Sequence, residues 1–219
     1  MDNSYQLLTL FADGGLMMYP LVICSLIGLG VIIAKFWTLR IAHKNASTVI
    51  EGVEEAAMGG GLDEAAEIAA STPGPAAAIL LAGLRRIRSR KLNKGELEQV
   101  ISTTGTIELS FLERGLVILA TVANVAPLMG FLGTVAGMIL AFDSIASAGD
   151  VDPATVAGGI KVALLTTAAG LTIAIPVNIG YNFFVSRIDK LIIDMEESTQ
   201  KILNIAWDLE RDGKLRILT

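Results

Sequence analysis

Charge is missing from three long stretches of this sequence. Residues 14–34, 115–142 and 162–186 contain no Asp, Glu, Lys, Arg or His. A helix needs about 20 apolar residues to cross the hydrocarbon core of a bilayer, and each stretch is long enough to do so. None of them holds a carboxylate, so an ion pathway through such helices would need an acid from elsewhere.

Cysteine and histidine are almost absent as well. Cys24 has no second cysteine with which to form a disulfide, and His43 lacks the Cys or acidic neighbours of a metal site. The sequence contains no Ser-His set, carboxylate pair or phosphate-binding glycine loop, so we expect no enzyme, no metal and no cofactor. The basic run over 85–94 lacks interleaved aromatic residues, which favours a solvated helix face over a nucleic-acid partner.

What the sequence has is apolar residues, at 53% of the chain, against 18% charged residues. A soluble domain has about 25% charged residues. Because the apolar excess is concentrated in a few blocks, it indicates an integral membrane protein. The N-terminus has no basic segment of the kind that begins a secretory signal, so we expect the first span to be retained.

The distribution of positive charge predicts the orientation. Residues 1–17 contain no Lys or Arg, the region 40–114 contains many, the link 143–157 contains none, and residues 187–219 again contain several. Cytoplasmic loops carry the excess of Lys and Arg, so the N-terminus is predicted outside and the C-terminus inside. Only Lys161 departs from this pattern.

We therefore predict an all-α integral membrane protein with three transmembrane helices, of which the second and third extend into long cytoplasmic helices. The predicted segments are a periplasmic amphipathic segment over 1–17, a transmembrane helix over 18–39, a cytoplasmic helical region over 40–114, a transmembrane helix over 115–142, a periplasmic loop over 143–157, a transmembrane helix over 158–186 and a cytoplasmic C-terminal helix over 187–219.

The cytoplasmic region shows helical periodicity with two breaks. Residues 45–90 are typical of three helices separated by the glycines of 59–61 and by the Pro-Gly-Pro of 73–75. From Lys94 onward no residue breaks a helix more strongly than Gly before Pro127. We expect one helix that begins in the cytosol and ends near Phe142.

Small and polar residues recur at helical spacing inside the second and third stretches. The hydroxyls of Thr134, Thr166 and Thr167 have two interpretations, which stay open at this point. Small residues let helices pack closely, with each Thr bonded to the carbonyl one turn back. Alternatively, the hydroxyls line a narrow path where they contact water or a permeating cation. The other candidates for lining or packing are Gly130, Gly133, Gly137, Ala163, Gly170 and Asn178.

Lys161 falls about one turn into the third predicted span. A lysine at this depth can extend its ammonium to the membrane interface. The alternatives are a cation at a pore mouth or a partner for an acid on another chain.

These residues resemble the ExbB/TolQ/MotA family of ion-channel motor subunits, most nearly ExbB and TolQ. The second span carries APLMGFLGTVAGMILAF over 126–142, and the third carries GGIKVALLTTAAGLTIAIPVNIGYNFF over 158–184. Weaker matches are GGLMMYPL over 14–21 and PGPAAAILLAGL over 73–84. The resemblance covers nearly the whole chain.

The resemblance implies a homopentamer in the bacterial inner membrane, in contact with lipids and enclosing the single spans of two copies of an ExbD/TolR-like partner. That partner would supply a membrane Asp. Proton-motive force would drive rotation, and a TonB/TolA-like energy transducer would carry the work to the outer membrane or cell envelope. Thr134 and Thr167 match the two ion-path threonines of the family, and Thr166 adjoins them.

The chain lacks two acidic residues that ExbB and TolQ commonly carry. Val162 stands where these proteins commonly carry a Glu before the third-span Thr, and Ala34 and Lys35 stand near the place of a first-span Glu. The pair Thr166-Thr167 also resembles sodium-type motor subunits. The alternatives to a proton-driven subunit are therefore a sodium-driven stator-type subunit and a non-conducting membrane scaffold.

Overall fold

The computed structural model describes residues 9–59, 61–88, 91–148, 153–211 and 216–218. Part of the predicted N-terminal segment, part of the predicted loop over 143–157 and the side chain of His43 lie outside these residues. After a helical segment over residues 9–13, the elements are α1 (Met18–Met58), α2 (Leu62–Ser71), α3 (Pro75–Arg88), β1 (Lys91–Asn93), α4 (Lys94–Glu113), α5 (Leu116–Ala148), α6 (Pro153–Arg211) and β2 (Arg216–Leu218).

Three helical stretches are long and apolar enough to cross a membrane, as the sequence predicts. They lie in α1, in α4 together with α5, and in α6. At 41 residues for α1 and 59 for α6, these helices are far longer than the roughly 20 residues that a crossing needs. The all-α class with three spans and long helical extensions is confirmed, while the orientation in the membrane stays a prediction.

The helix expected from Lys94 to Phe142 is interrupted once. α4 ends at Glu113 and α5 begins at Leu116. Between them Gly115 has φ +92°, a conformation that glycine adopts without a Cβ clash and that ends a right-handed helix. The prediction of one uninterrupted helix is wrong here. α5 then continues past Phe142 to Ala148, with Pro127 inside it.

The chain packs into two compact units. The first, here called the span unit, consists of Met1–Ala34 and Gly115–Phe183 and contains most of the charge-free residues. Its core is formed by Leu21, Ala126 and Ala174. A Cβ atom added to Gly28 would lie 2.9 Å from a methyl group of Val177, so α1 and α6 approach closely within this unit.

The second unit, here called the charged unit, consists of Lys35–Arg114 and Phe184–Thr219. Of the three helices expected over 45–90, the first is the C-terminal part of α1, and the other two are α2 and α3. α3 buries an apolar face there, formed by Ala76, Ile79, Leu80, Leu84 and Ile87.

Ion pairs and a short ladder connect the elements of the charged unit. The Nζ atom of Lys201 lies 2.5 Å from Oε2 of Glu54, and Arg86 pairs with Glu96. Within the described residues, the predicted all-helical pattern is supplemented by a parallel ladder of three residues on each strand, in which β1 pairs with β2.

Candidate ion pathway

Thr134 of α5 and Thr167 of α6 face each other inside the span unit. Their Oγ1 atoms lie 2.7 Å apart, which is hydrogen-bond distance. Both atoms also lie near the carbonyl oxygen of Gly130, at 3.2 Å from Thr134 and 3.1 Å from Thr167. Both side chains are half-buried. The structure thus brings together two of the three threonines that are proposed from the sequence for an ion pathway.

The hydroxyls of Thr134 and Thr167 and the carbonyl of Gly130 can form a chain of two hydrogen bonds. Each hydroxyl has one proton to donate and can accept two hydrogen bonds. Because the two oxygens are in hydrogen-bond contact, one proton lies between them, and the other is free to point at the Gly130 carbonyl. Either threonine can take either role, so rotation of the two hydroxyls reverses the direction of donation without a backbone movement.

The polar groups that an ion would meet near Thr134 and Thr167 are uncharged hydroxyl and carbonyl oxygens. Residues 115–142 and 162–186 contain no carboxylate. Among the described residues, no group of three or more His, Cys, Asp or Glu is placed to hold a metal ion. A hydroxyl pair can orient water or contribute lone pairs to a cation, but it does not supply the negative charge that stabilises a proton or cation in a membrane.

Thr166 also approaches the carbonyl oxygen of Gly130, with its Oγ1 3.4 Å away, but it is more deeply buried than its neighbour Thr167. It is fully buried, and its Oγ1 lies 2.9 Å from the carbonyl oxygen of Ala163 and 3.1 Å from that of Val162. A Cβ atom added to Gly133 would collide with this side chain. Thr166 therefore fills the contact between α5 and α6. Asn178, in contrast, is exposed on α6.

Small residues bring the backbones of α5 and α6 into contact around the threonine pair. A Cβ atom added to Gly130 would lie 2.9 Å from the carbonyl oxygen of Thr166, and one added to Gly137 would lie 2.9 Å from that of Gly159. Side chains larger than hydrogen do not fit at such distances. We call this contact the glycine seam; its members are Gly130, Gly133 and Gly137 on α5 and Gly159, Ala163 and Gly170 on α6.

Lys161 forms an ion pair within the chain. Its Nζ atom lies 2.6 Å from Oδ2 of Asp13, and both side chains are about half exposed, at 57% and 42%. Beside this pair, a Cβ atom added to Gly15 would lie 3.8 Å from Cγ1 of Val162. The N-terminal segment therefore contacts the first turns of α6.

Two parts of this site have almost no signal in the sequence. Asp13 is distant from Lys161 along the chain. The sequence feature that points to a turn beside it is the Gly14-Gly15 pair that follows. Gly15 has φ +69°, so the chain turns there between residues 9–13 and α1. The Gly130 carbonyl is a backbone group, which residue type does not reveal.

Comparison with known proteins gives a consistent family assignment. Residues 71–197 match the MotA/TolQ/ExbB proton channel family. The chain is 32% identical over 205 residues to a biopolymer transport protein ExbB homolog of Methanothermobacter thermautotrophicus, covering 93% of this chain and 71% of that protein. It is 44% identical over 85 residues to the biopolymer transport protein ExbB of Aquifex aeolicus, covering 39% of this chain and 57% of that protein.

A third relative extends the comparison to the Tol-Pal system. The chain is 46% identical over 81 residues to the protein TolQ of Pseudomonas aeruginosa, covering 37% of this chain and 35% of that protein. The family match covers more than half of the chain and includes both Thr134 and Thr167. With its three apolar helical stretches, this is a multi-pass membrane protein. The chain belongs to the MotA/TolQ/ExbB proton channel family.

Proposed function

We propose that this chain is the channel-forming subunit of a proton-driven motor in the bacterial inner membrane, with its N-terminus outside and its C-terminus in the cytoplasm. The observation that carries the proposal is the contact between the hydroxyls of Thr134 and Thr167, which lie 2.7 Å apart within the charge-free stretches 115–142 and 162–186. The pair would orient the proton or the water that carries it.

The acid that this pair lacks would come from a partner. A proton needs a group that binds and releases it, and neither hydroxyl does so under physiological conditions. An ExbD/TolR-like protein with one membrane span and an Asp in that span would meet this need. The proposed load is work at the outer membrane or cell envelope, carried through a TonB/TolA-like transducer. The relatives named for biopolymer transport and for the Tol-Pal system are consistent with a transport or envelope role.

The apolar surface of the span unit supports association with further copies of the chain and with lipid. Leu128 and Phe131 on α5 and Ile175 on α6 are 66%, 65% and 59% exposed in the single chain. Side chains of this kind are covered by lipid tails or by neighbouring helices in a bilayer. The proposed assembly is a homopentamer around the spans of two partner copies.

The test is ion flux in liposomes that contain the full chain together with the ExbD/TolR-type protein of its own genome. Thr134→Val and Thr167→Val should each reduce potential-driven proton flux about tenfold or more, because each removes a hydroxyl from the hydrogen-bonded pair. Thr172→Val is the matched control. Thr172 is exposed on α6, and its Oγ1 bonds the carbonyl oxygen of Ala168 at 2.7 Å within the same helix.

Four results would count against the proposal. Undiminished flux in the Thr134→Val, Thr167→Val double variant would remove the pair from the pathway. Equal flux without the partner would remove the need for a borrowed acid. Flux that follows a sodium gradient and ignores a proton gradient would establish the sodium-driven alternative. Absence of any flux from an intact assembly would favour the scaffold.

A further inference from the structure

Lys35 stands out because its charged side chain is buried. It is 8% exposed, and its Nζ atom donates a hydrogen bond to the carbonyl oxygen of Leu112 at 2.7 Å. Lys35 belongs to α1 and Leu112 to the last turn of α4, and both lie in the charged unit. This contact joins two helices through one side chain and one backbone group.

The position of Leu112 explains why a hydrogen-bond donor lies there despite the nearby positive charge of Arg114. The last four carbonyl groups of a helix have no N–H partner within the helix, and they form the negative end of its dipole. α4 ends at Glu113, and the positive φ of Gly115 prevents the helix from continuing. A lysine ammonium satisfies such a carbonyl and complements the dipole. We call residues 112–115 the α4–α5 joint.

We propose that Lys35 is a positioning residue that fixes the last turn of α4 to α1 within the charged unit and so orders residues 112–114 of the α4–α5 joint. Its effect on ion flux rests on the proposed function, whereas its effect on the joint does not. A carboxylate at this position would face a carbonyl oxygen to which it has no proton to donate.

The test compares four variants of the full chain. Lys35→Met removes the donor, Lys35→Glu reverses its charge, and Lys35→Arg keeps a cationic donor. Arg40→Met, at an exposed position of the same helix, is the matched control. The first readout is amide hydrogen exchange over residues 109–116 in the assembly with the ExbD/TolR-type partner. The second is proton flux in liposomes.

Lys35→Met and Lys35→Glu should accelerate exchange over residues 109–116 about 10- to 100-fold, as expected for the loss of a hydrogen bond to a charged group. Exchange over the rest of α5 and α6 should stay unchanged, and flux should fall. Lys35→Arg should retain most of the protection and most of the flux, and Arg40→Met should match the wild type in both.

The inference is overturned if Lys35→Glu matches the wild type in exchange, or if Lys35→Met changes exchange no more than Arg40→Met does. Accelerated exchange throughout the molecule would assign Lys35 to overall stability and would also overturn it. A wild-type assembly without flux would contradict the proposed function alone, since the exchange measurement reports on the joint independently.

Discussion

A Cβ atom at Gly170 would lie 2.5 Å from the carbonyl oxygen of Ala126, so α5 and α6 touch there through their backbones. The same Cβ atom would lie 3.2 Å from Cα of Gly130, whose carbonyl accepts from the threonine pair. The distance between the Thr134 and Thr167 hydroxyls is therefore set by how closely the glycine seam closes. The close packing and the proposed ion pathway therefore depend on the same small residues.

Gly170→Ala should separate the two helices and destabilise the protein by about 1–3 kcal/mol, the usual cost of forcing an extra methyl group into a packed contact. Flux should fall with it, since the hydroxyl pair opens. Gly158→Ala is the control: it lies on the same helix with nothing within 4 Å of the added Cβ atom, and should gain up to about 1 kcal/mol in helix propensity. Thermal unfolding in detergent measures the stability of both variants. Equal changes in Gly170→Ala and Gly158→Ala would contradict the close contact at Gly170.

A double-mutant cycle should show that Thr134 and Thr167 are energetically coupled. Either Thr→Val change removes the hydrogen bond between the two hydroxyls, so the double variant should lose less stability than the sum of the single variants. The expected coupling is about 0.5–1.5 kcal/mol in unfolding free energy.

The matched cycle combines Thr134→Val with Thr172→Val. Thr172 bonds only its own helix in the described part of the chain, so these two changes should be additive within about 0.5 kcal/mol. Equal coupling in both cycles would show that the 2.7 Å contact contributes nothing specific.

Residue type and helical period predict the spans, whereas the resemblance to a family singles out Thr134 and Thr167 and does not predict their contact. A charge-free run of sufficient length directly indicates a membrane span. Thr134 and Thr167 lie within motifs that match a family. The all-α fold and the family assignment follow from these features alone. The helix breaks in the charged unit are equally readable, since Pro-Gly-Pro over 73–75 interrupts a helix by its covalent structure.

The parts that the sequence does not predict depend on tertiary context. Gly115 turns the chain while Gly130 and Gly137 continue a helix, and residue type is the same in all three. Lys35 and Lys161 are both lysines near the end of an apolar stretch, yet one is buried on a backbone carbonyl and the other is exposed beside Asp13. Such contacts become visible only when the helices are placed together.

The Lys161–Asp13 ion pair should contribute little to stability. Pairs at this exposure are worth about 0.2–1 kcal/mol and are screened by salt. Asp13→Asn should therefore lower the unfolding free energy by less than about 1 kcal/mol at low ionic strength and by nothing measurable at about 1 M salt. The charge-swapped variant Asp13→Lys, Lys161→Asp should recover the loss. A loss that persists at high salt would indicate a contact other than an ion pair.

Glu108 should make the stability of the charged unit depend on pH. It lines a mostly apolar cavity of about 430 Å3 together with Thr38, Ile41 and Phe111. Burial raises the pKa of its carboxyl above the ordinary value of 4.5. The folded state therefore binds this proton more tightly than the unfolded state does. The stabilisation that this provides is complete below pH 4.5 and is lost as the pH rises through the folded-state pKa.

Glu108→Gln removes the titrating group and keeps the size of the side chain. The variant should unfold at a higher temperature than the wild type at pH 7, and the difference should disappear as the pH falls below 4.5. Glu98→Gln, at an exposed position of α4, is the control and should shift the melting temperature little at either pH. Melting curves in detergent between pH 4 and pH 8 measure the effect. If Glu108→Gln is less stable than the wild type at pH 7, the ionised carboxylate is held by a favourable contact, and desolvation does not dominate at this site.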